Sequence, residues 1–443
     1  MPAQCPRGAI RTASRAVPRY SLPVVSPLFL LDDPVAQAFA PFALTRPLGE
    51  MRAGALLVRA RWERALDTRV TGFVGAVHLA GFAELDAPPA APAVLPARSI
   101  VASTRCAPAL AAVRADGDVW TCDGRVAAVR LREPLAAAHL RDGTVTLESL
   151  AAATAGTASA VGMPAPTEAL RGWWLDAVWD LVRHLQPMLA DDCAALGPTL
   201  TTQAHPAAVL GTHPVWVEQG ATIEPYVVFD VQAGPVIVRR GATVQAFTRV
   251  VGPCYVGHDS TVMADRISGC AIGEVCRVHG EISASIVVGH ANKAHDGFVG
   301  HSILGRWVNL GAGTTTSNLK NTYGTVALWT PDGVRDTGLQ FLGTLFGDHA
   351  RTGIGLRLTT GCVLGAGANV VDRMPPKMVP PFAWGSDAPY GTYAVDKFVE
   401  VAARAMARRQ ITLGDAMAAT LRAAHARATA DAGGAASRVL AER

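Results

Sequence analysis

The stretch VIVRRGATVQAFTRVVGPCYVGHDSTVM, residues 236–263, decides the fold of the second half of this 443-residue chain. Every sixth residue in it is aliphatic: Val238, Val244, Val250, Val256 and Val262. In a hexapeptide-repeat β-helix each short strand forms one side of a triangular coil and points one side chain inward, which produces this period. The stretch therefore predicts a left-handed parallel β-helix with a continuous aliphatic column inside it.

The same spacing extends the repeat in both directions. The further aliphatic or aromatic positions are Val217, Ile223 and Phe229, then Phe298, Leu304 and Leu310, and finally Leu358, Leu364 and Val370. We expect all of them to point inward. The period slips near residues 265–270 and 321–347, where we expect loops to leave the coil. A β-sandwich with chance spacing is the alternative, and so long a series of six-residue steps disfavours it.

The first half of the chain has the pattern of an α/β domain. The run Leu28–Leu31, followed by Asp32-Asp33-Pro34, indicates a short buried strand ended by turn residues. Strand-like segments at 71–75, 99–102 and 126–129 then alternate with helical stretches. We expect a disordered extension at 1–27, the α/β domain at 28–197 with a Trp-rich helix at 173–196, the β-helix domain at 198–385 and a helical segment at 386–443.

Composition excludes several classes of protein. With 40 basic and 36 acidic residues the net charge is only +4, so no basic stripe predicts a nucleic-acid partner. No stretch of 18 apolar residues predicts a membrane span. The eight cysteines contain no C-x-x-C pair, which predicts free thiols in a cytoplasmic protein and no metal site. The Arg-rich, acid-free start leaves an amphipathic targeting peptide as an alternative to a disordered extension.

Three segments in the repeat carry a resemblance to a known family: NKAHDGFVGH at 292–301, WVNLGAGT at 307–314 and SNLKNTYG at 317–324. They resemble the acetyltransferase half of the bifunctional N-acetylglucosamine-1-phosphate uridyltransferase/glucosamine-1-phosphate acetyltransferase family. TRPLGEMRAG at 45–54 and TGLQF at 337–341 widen the match to an alternative bacterial branch of sugar nucleotidyltransferases. The resemblance implies a transferase that uses acetyl-CoA or another acyl-CoA to N-acetylate an amino-sugar phosphate.

The resemblance also implies roles for individual residues. His295, three residues before the expected inward Phe298, would be the general base, and Asp296 would orient it. Asn318 would contact the reacting groups, and His349 is a second candidate base, with His301 a weaker one. The residues expected to bind substrate in this region are Lys293, Asn309, Lys320, Asn321 and Tyr323, and Arg266 is a further source of positive charge.

The first domain departs from the nucleotidyltransferase pattern. The Gly-rich loop L-x-x-G-x-G-T-R that admits a triphosphate is absent after the first strand. Arg46 and Arg52 could bind phosphates with their guanidinium forks, although Arg52 could instead pair with Glu50 or Glu63. The resemblance allows Mg²⁺ in this domain, but the metal-binding aspartate of the family has no match here, and only Arg105 lies in the expected region.

Three functions remain open at this point. The first is acyl transfer in the β-helix beside a nucleotidyltransferase-like domain. The second is nucleotidyl transfer with a purely structural β-helix, and the third is a non-catalytic regulatory protein that binds sugar nucleotides. The polar residues concentrated at 292–321 favour the first function, because a β-helix needs only aliphatic residues to fold. We also expect a homotrimer, since the flat faces of triangular coils pack well about a threefold axis.

Overall fold

The computed structural model describes residues 26–160, 166–372 and 374–441. The extension expected at residues 1–27 lies outside this part of the chain except for Ser26 and Pro27.

The first domain is built on a six-stranded mixed sheet. Its strands are β1 (Leu28–Leu31), β2 (Val70–Val74), β3 (Ile100–Ser103), β4 (Val119–Cys122), β5 (Arg125–Arg130) and β6 (Thr167–Ala169), in the order β6-β4-β5-β3-β1-β2. Strand β1 is parallel to both β2 and β3. The side chains of β1 alternate between two cores: Leu28 and Leu30 pack into one, Phe29 and Leu31 into the other. This two-sided burial is why the strand is a continuous hydrophobic run.

Helices and short hairpins complete this domain. The helices are α1 (Pro34–Gln37), α2 (Val58–Ala65), α3 (Ala137–Arg141), α4 (Leu147–Ala160), α5 (Asp180–Arg183) and α6 (Leu185–Leu196), with single 3₁₀ turns at Leu48–Glu50, Val77–Leu79 and Gly197–Thr199. The short strand pairs are Arg52–Ala53 with Leu56–Leu57, Val94–Leu95 with Leu135–Ala136, and Cys106–Pro108 with Gly172–Trp174.

The strands expected from the sequence agree with this sheet. The segments 71–75, 99–102 and 126–129 coincide with β2, β3 and β5 to within about one residue at most ends. The Trp-rich helix expected at 173–196 was wrong in its first part, where Gly172–Trp174 forms a strand against Cys106–Pro108. Trp is favoured in strands, and both Trp173 and Trp174 carry an arginine over the ring.

A three-sided parallel β-helix follows, as the six-residue period predicted. Face A consists of Ala208–Leu210, Val228–Asp230, Thr248–Val251, Asp265–Ser268, Ile282–Ser283, Val299–Gly300, Thr315–Thr316 and Arg357–Leu358. Face B consists of Val215–Val217, Val236–Val238, Cys254–Val256, Ala271–Ile272, Ile286–Val287, Ile303–Leu304, Leu345–Phe346, Val363–Leu364 and Met378–Val379. Face C consists of Thr222–Ile223, Thr243–Val244, Thr261–Met263, Arg277–His279, Asn292–Lys293, Arg351–Thr352, Asn369–Val370, Ala383–Gly385 and Gly391–Thr392.

The inward column is the one read from the sequence, with one exception. Val238, Val244, Val250, Val256 and Val262 are fully buried inside the coil. Phe298 was expected inward, but Val299 takes that position and pairs with Ile282, which leaves Phe298 half-buried on the outside of face A. The preceding turn shifts the phase: Gly297 adopts a positive φ of 121°, a conformation that favours glycine.

The two phase slips have different outcomes. Residues 265–270 do not leave the coil, because Asp265–Ser268 is an ordinary strand of face A. Most of the segment 321–347 does leave the coil and forms an antiparallel hairpin, Ala327–Thr330 with Gly333–Asp336, but its end returns as the face B strand Leu345–Phe346. Val326 and Leu328 of this hairpin segment are buried in the same core as the first domain. The insertion therefore connects the β-helix to the first domain.

The first domain covers the outside of face B. The outward residues on this face are apolar and belong to the core of the first domain; they are Ile237, Tyr255, Ala271, Ile286, Ile303, Leu345 and Val363. Strands whose inward and outward residues are both buried read as continuous apolar runs, as in Val236–Val238. Face B is consequently unavailable to a second copy of the chain, and a trimer would have to use faces A and C.

Two helices close the structure: α7 (Val395–Ala407) and α8 (Asp415–Ala441). In α7, Phe398 packs edge-on against Phe382 in the last turns of the β-helix. In α8, Met417 and Leu421 join the first-domain core, where the helix lies against Val77–Leu79. The C-terminal segment thus packs on its own chain. Among the described residues, no helix combines the length and apolar character needed to cross a membrane.

Replacing Val250 by Asp should unfold the β-helix. The substitution puts an unpaired carboxylate into the apolar column, and an isolated buried charge costs several kcal/mol even after relaxation. Thermal unfolding followed by circular dichroism measures the loss. The matched control is Val228→Asp on the outer side of face A, beside Arg249, which should melt close to the parent. Equal melting of the two variants would show that the assigned phase is wrong.

Candidate functional site

Arg46 lies between the two domains rather than in an open pocket. Its side chain is 1% exposed, its Nε donates to Asp348 at 2.7 Å and its Nη2 to Glu84 at 2.9 Å. Thr45 donates to the same Asp348 oxygen at 2.8 Å. Burial alone would raise the pKa of Glu84, but Arg46 and Arg306 lower it to about 2. Arg46 therefore has no free face for a phosphate in this structure.

Arg52 has a comparable position. Its Nη2 donates to Glu274 of the β-helix at 2.6 Å and its Nε to the Val288 carbonyl at 3.3 Å. The alternative of pairing with Glu50 or Glu63 is also wrong, since Arg59 bonds Glu50 at 2.6 Å and lies 3.6 Å from Glu63. Both arginines singled out for phosphate binding hold the first domain against face B.

The open crevice of the first domain lies at the carboxyl ends of β1 and β3. The chain passes from β1 to β2 on one side and returns to β3 on the other, and such a reversal leaves a ligand crevice in open α/β sheets. Asp32 and Asp33 follow β1, and Thr104 and Arg105 follow β3. Asp32 is enclosed: burial raises its pKa to about 7, against the lowering effect of a 2.7 Å bond from Thr104.

Arginines dominate the exposed part of this crevice. Arg105 pairs with Asp33 at 2.7 Å and with Asp176 at 2.8 Å. Arg125 also pairs with Asp176, at 2.9 Å, and its guanidinium lies 3.8 Å from the Trp174 ring centroid. Because arginines already occupy both carboxylates that face the crevice, this part of the structure does not fit Mg²⁺.

The second candidate site is the outer surface of face A. His295 and Asp296 lie exposed in the turn before Val299–Gly300. The His295 ring bonds no other described residue, so its nitrogens are available. Asp296 does not orient it: the carboxylate lies 3.3 Å from Nδ1 of His279, one coil away. The geometry therefore leaves His295 as a solvent-accessible base without an orienting carboxylate of its own.

Asn318 contacts a different histidine. Its Nδ2 lies 2.9 Å from Nδ1 of His301, whose ring stacks on Phe341. Burial lowers the pKa of His301. A Cβ at Gly300 would meet both Asn318 and Phe298, so glycine is needed there for their close approach. Face A thus carries a polar and aromatic patch, in which His301 follows the strand Val299–Gly300 and Asn318 follows the next strand.

The remaining expected substrate-binding residues are dispersed. Lys293 points into the coil and donates to the carbonyls of His279 at 3.1 Å, Asp296 at 3.0 Å and His295. Burial lowers its pKa to about 8, and its role is to satisfy the turn around His295. Asn309 lies on face C and accepts from Asn292 at 3.0 Å. Lys320, Asn321 and Tyr323 lie in the segment that leaves the coil, with Tyr323 68% exposed.

His349 is enclosed, contrary to what a catalytic base requires. It is 3% exposed and lies between the Trp307 and Phe398 rings. Burial lowers its pKa to about 3. The neutral imidazole therefore serves as a packing group under α7.

The sequence did not predict one group of candidate metal ligands. One ligand atom from each of Asp265, His279 and Asp296 lies within 4.8 Å of the others, a spacing compatible with a shared divalent cation. The residues are 14 and 17 positions apart and meet because each lies one coil above the last. No spacing motif signals such a group, and only the coil length of the β-helix could have suggested it.

Comparison with known proteins agrees with this architecture. Residues 28–199 match the family model described as sugar nucleotidyl transferase. The match spans the whole first domain, which is therefore similar to a sugar nucleotidyl transferase domain. The family suspected from the sequence is therefore supported, even though the Gly-rich loop is absent.

Two curated relatives match shorter stretches. The bifunctional protein GlmU of Jannaschia sp. (strain CCS1) is 32% identical over 146 residues, which are 31% of this chain and 31% of the relative. A bifunctional sugar-1-phosphate nucleotidylyltransferase/acetyltransferase of Sulfurisphaera tokodaii is 31% identical over 90 residues, 20% of this chain and 22% of the relative. The matched stretch thus spans less than a third of either relative's length.

Removing Arg46 should destabilise the protein rather than weaken nucleotide binding. Arg46→Ala leaves Glu84 and Asp348 buried without their partner, a change that typically costs about 3–5 kcal/mol. Urea unfolding measures the loss. Arg105→Ala, in the open crevice, should lose far less stability. A stable Arg46→Ala protein with weakened nucleotide affinity would restore the phosphate-binding role.

Two buried histidines should lose their contribution to stability in mild acid. Burial lowers the pKa of His349 to about 3 and that of His290 to about 4, from 6.5. Their contribution is present above pH 6.5 and is lost as the pH falls towards 4, by about 1.4 kcal/mol per pH unit for each histidine. Urea unfolding at several pH values tests this. The parent should lose stability relative to His349→Asn as the pH falls from 6.5 towards 4, whereas His213→Asn, at an exposed position, should follow the parent.

Proposed function

We propose that this protein is a transferase of nucleotide-sugar biosynthesis that N-acylates an amino-sugar phosphate on face A of the β-helix, with His295 as the general base. The observation that carries the proposal is the exposed His295 ring, which bonds no other described residue and lies before the face A strand whose other end carries a patch of His301, Asn318 and Phe341. The printed names of both relatives support it, since one is called a nucleotidylyltransferase/acetyltransferase and the other a bifunctional protein GlmU.

The chemistry asks little of the protein beyond positioning and proton transfer. The sugar amine attacks the thioester carbonyl of acetyl-CoA or another acyl-CoA, and the C–N bond forms as the C–S bond breaks. His295 accepts the amine proton, and the thiolate of CoA leaves and takes up a proton. Asn318 is held by His301 at the edge of the patch, where its amide can bond the acceptor sugar.

The site is proposed to be completed by neighbouring subunits of a homotrimer. His295 precedes the face A strand Val299–Gly300, while Asn318 follows the next strand, Thr315–Thr316. No contact between the two side chains exists within one chain. Face B is covered by the first domain, so a threefold contact through faces A and C would surround the His295 edge.

Sedimentation is expected to give a trimer at micromolar concentration, and a monomer would count against this assembly.

The crevice of the first domain supports a second activity or a binding function. The family match of residues 28–199 and the Arg105–Arg125–Trp174 group favour a nucleotide there, with its base against the ring and its phosphates at the arginines. Two alternatives remain: nucleotidyl transfer with a structural β-helix, and regulatory binding of sugar nucleotides. They differ from acyl transfer in one measurable respect. Neither depends on His295. We place the reaction in the cytoplasm, where its substrates and the free thiols both fit.

His295→Ala should abolish acyl transfer and leave the fold intact. A general base typically contributes about a hundredfold to ten-thousandfold, so the loss should appear in kcat and not in KM for acyl-CoA. The assay follows CoA release from acetyl-CoA with glucosamine 1-phosphate. Parallel His301→Ala, His349→Ala and exposed His213→Ala variants serve as comparisons. An active His295→Ala enzyme together with an inactive His301→Ala enzyme would move the base to His301, and an inactive parent would favour the binding function.

A further inference from the structure

A groove between face C and the end of α7 contains several arginines without carboxylate partners. Arg351 projects outward from face C, and Arg408 and Arg409 come from the end of α7. With His290, Asn292 and Asn309 they line a cavity of about 50 Å³. A cavity of this volume has room for a few water molecules or a small anion.

The positive charge in this groove is not neutralised within the described chain. Arg351, Arg408 and Arg409 form no ion pair with any described carboxylate. Burial lowers the pKa of Arg351; Tyr393 partly offsets this effect, and neighbouring Arg408 lowers the pKa further. Burial likewise lowers the pKa of Arg409, with repulsion from Arg277 and Arg408 adding to it. Partly buried cations that repel one another are unstable unless an anion joins them.

The neighbouring cavity shows that this lack of partners is local. A larger cavity of about 340 Å³, which also contacts His290, lies between α2 and the β-helix. Its arginines are paired: Arg59 with Glu50 and Asp86, and Arg306 close to Glu84. The two cavities differ in net charge although both are rich in arginine.

Face C also supplies neutral donors to the same place. Its outward ladder runs Arg277, Asn292, Asn309, Arg351, Asn369, one residue per coil. The Asn292 side-chain amide donates to the side-chain oxygen Oδ1 of Asn309 at 3.0 Å. The NH₂ group of Asn309 is therefore turned away from that bond and remains a donor. Guanidinium and amide groups together are the donors that bind phosphate oxygens.

We propose that this groove is a binding site for a phosphorylated ligand, whose phosphate or diphosphate group is held by Arg351, Arg408, Arg409 and Asn309. The site lies on the opposite side of face C from the turn that carries His295, and it stands whether or not His295 catalyses acyl transfer. Two sources of the same chemistry are the diphosphate of an acyl-CoA and that of a sugar nucleotide.

Calorimetric titration with inorganic pyrophosphate tests the site in the full-length protein at low salt. The parent should bind, and Arg351→Gln should bind at least tenfold more weakly, because a hydrogen bond to a charged group is worth about 1.5–3 kcal/mol. Arg404→Gln is the matched control. Arg404 lies on α7, close to Arg408, but is exposed and paired with Glu400, so the affinity of this variant for pyrophosphate should stay within about twofold of the parent. His295→Ala should bind like the parent.

Melting temperatures distinguish a ligand site from a structural role. Without anion, Arg351→Gln should melt at or above the parent, because it removes an uncompensated charge. With pyrophosphate the parent should gain stability and the variant should not. Competition by CoA would identify the acyl donor as the source of the diphosphate, and competition by UDP would identify a nucleotide. The proposal fails if pyrophosphate does not bind at millimolar concentration, if Arg351→Gln binds normally, or if only Arg105→Gln in the first-domain crevice abolishes binding.

Discussion

The arrangement of the whole molecule depends on the buried contact of Arg46 with Glu84 and Asp348. A guanidinium taken out of water needs both carboxylates, and each carboxylate needs the guanidinium, so none of the three can be accommodated without the others. Two of the residues belong to the first domain and one to the β-helix. The apolar surface of face B provides most of the area that is buried between the domains, but it would tolerate sliding. The charged contact fixes the position.

The three faces of the β-helix have consequently different environments. Face B is covered by the first domain and is apolar outside as well as inside. Face C is partly covered by α7, and its outer ladder consists of arginines and asparagines. Face A carries His295, Phe298 and Asn318 on its outer side. One repeat with one inward column thus presents three chemically distinct surfaces, because outward residues are free of the packing requirement that fixes the inward ones.

A phosphorylated substrate needs positively charged side chains whose donors are free. Whether an arginine or lysine meets this need depends on its neighbours and not on its residue type alone. Arg46 and Arg52 have the right side chain, but they form ion pairs with Glu84, Asp348 and Glu274. Lys293 donates its hydrogen bonds to carbonyl oxygens inside the coil. Arginines without a carboxylate partner among the described residues are found instead in the groove on face C, whereas the arginines at the crevice of the first domain share Asp33 and Asp176.

The sequence by itself determined the β-helix, its inward column and the central strand of the first domain. Hydrophobic periodicity is a direct record of which side chains are buried, and a six-residue repeat permits few other folds. It also pointed to the stretch around His295 and Asn318, because polar residues concentrated in an aliphatic repeat stand out. Phe298 was misplaced, since a single glycine in a left-handed conformation shifts the phase and leaves no periodic signal.

Only the tertiary structure decided which polar residues are free. The partners of Arg46, Arg52 and Asp296 lie 302, 222 and 17 positions away, so no local pattern could reveal that they are paired. The same holds for the group Asp265, His279 and Asp296 and for the groove formed by Arg351 and α7, which exist because coils stack and a helix folds back on them. Periodicity reports burial along the chain, whereas the pairing of charges depends on contacts between segments that are distant in sequence.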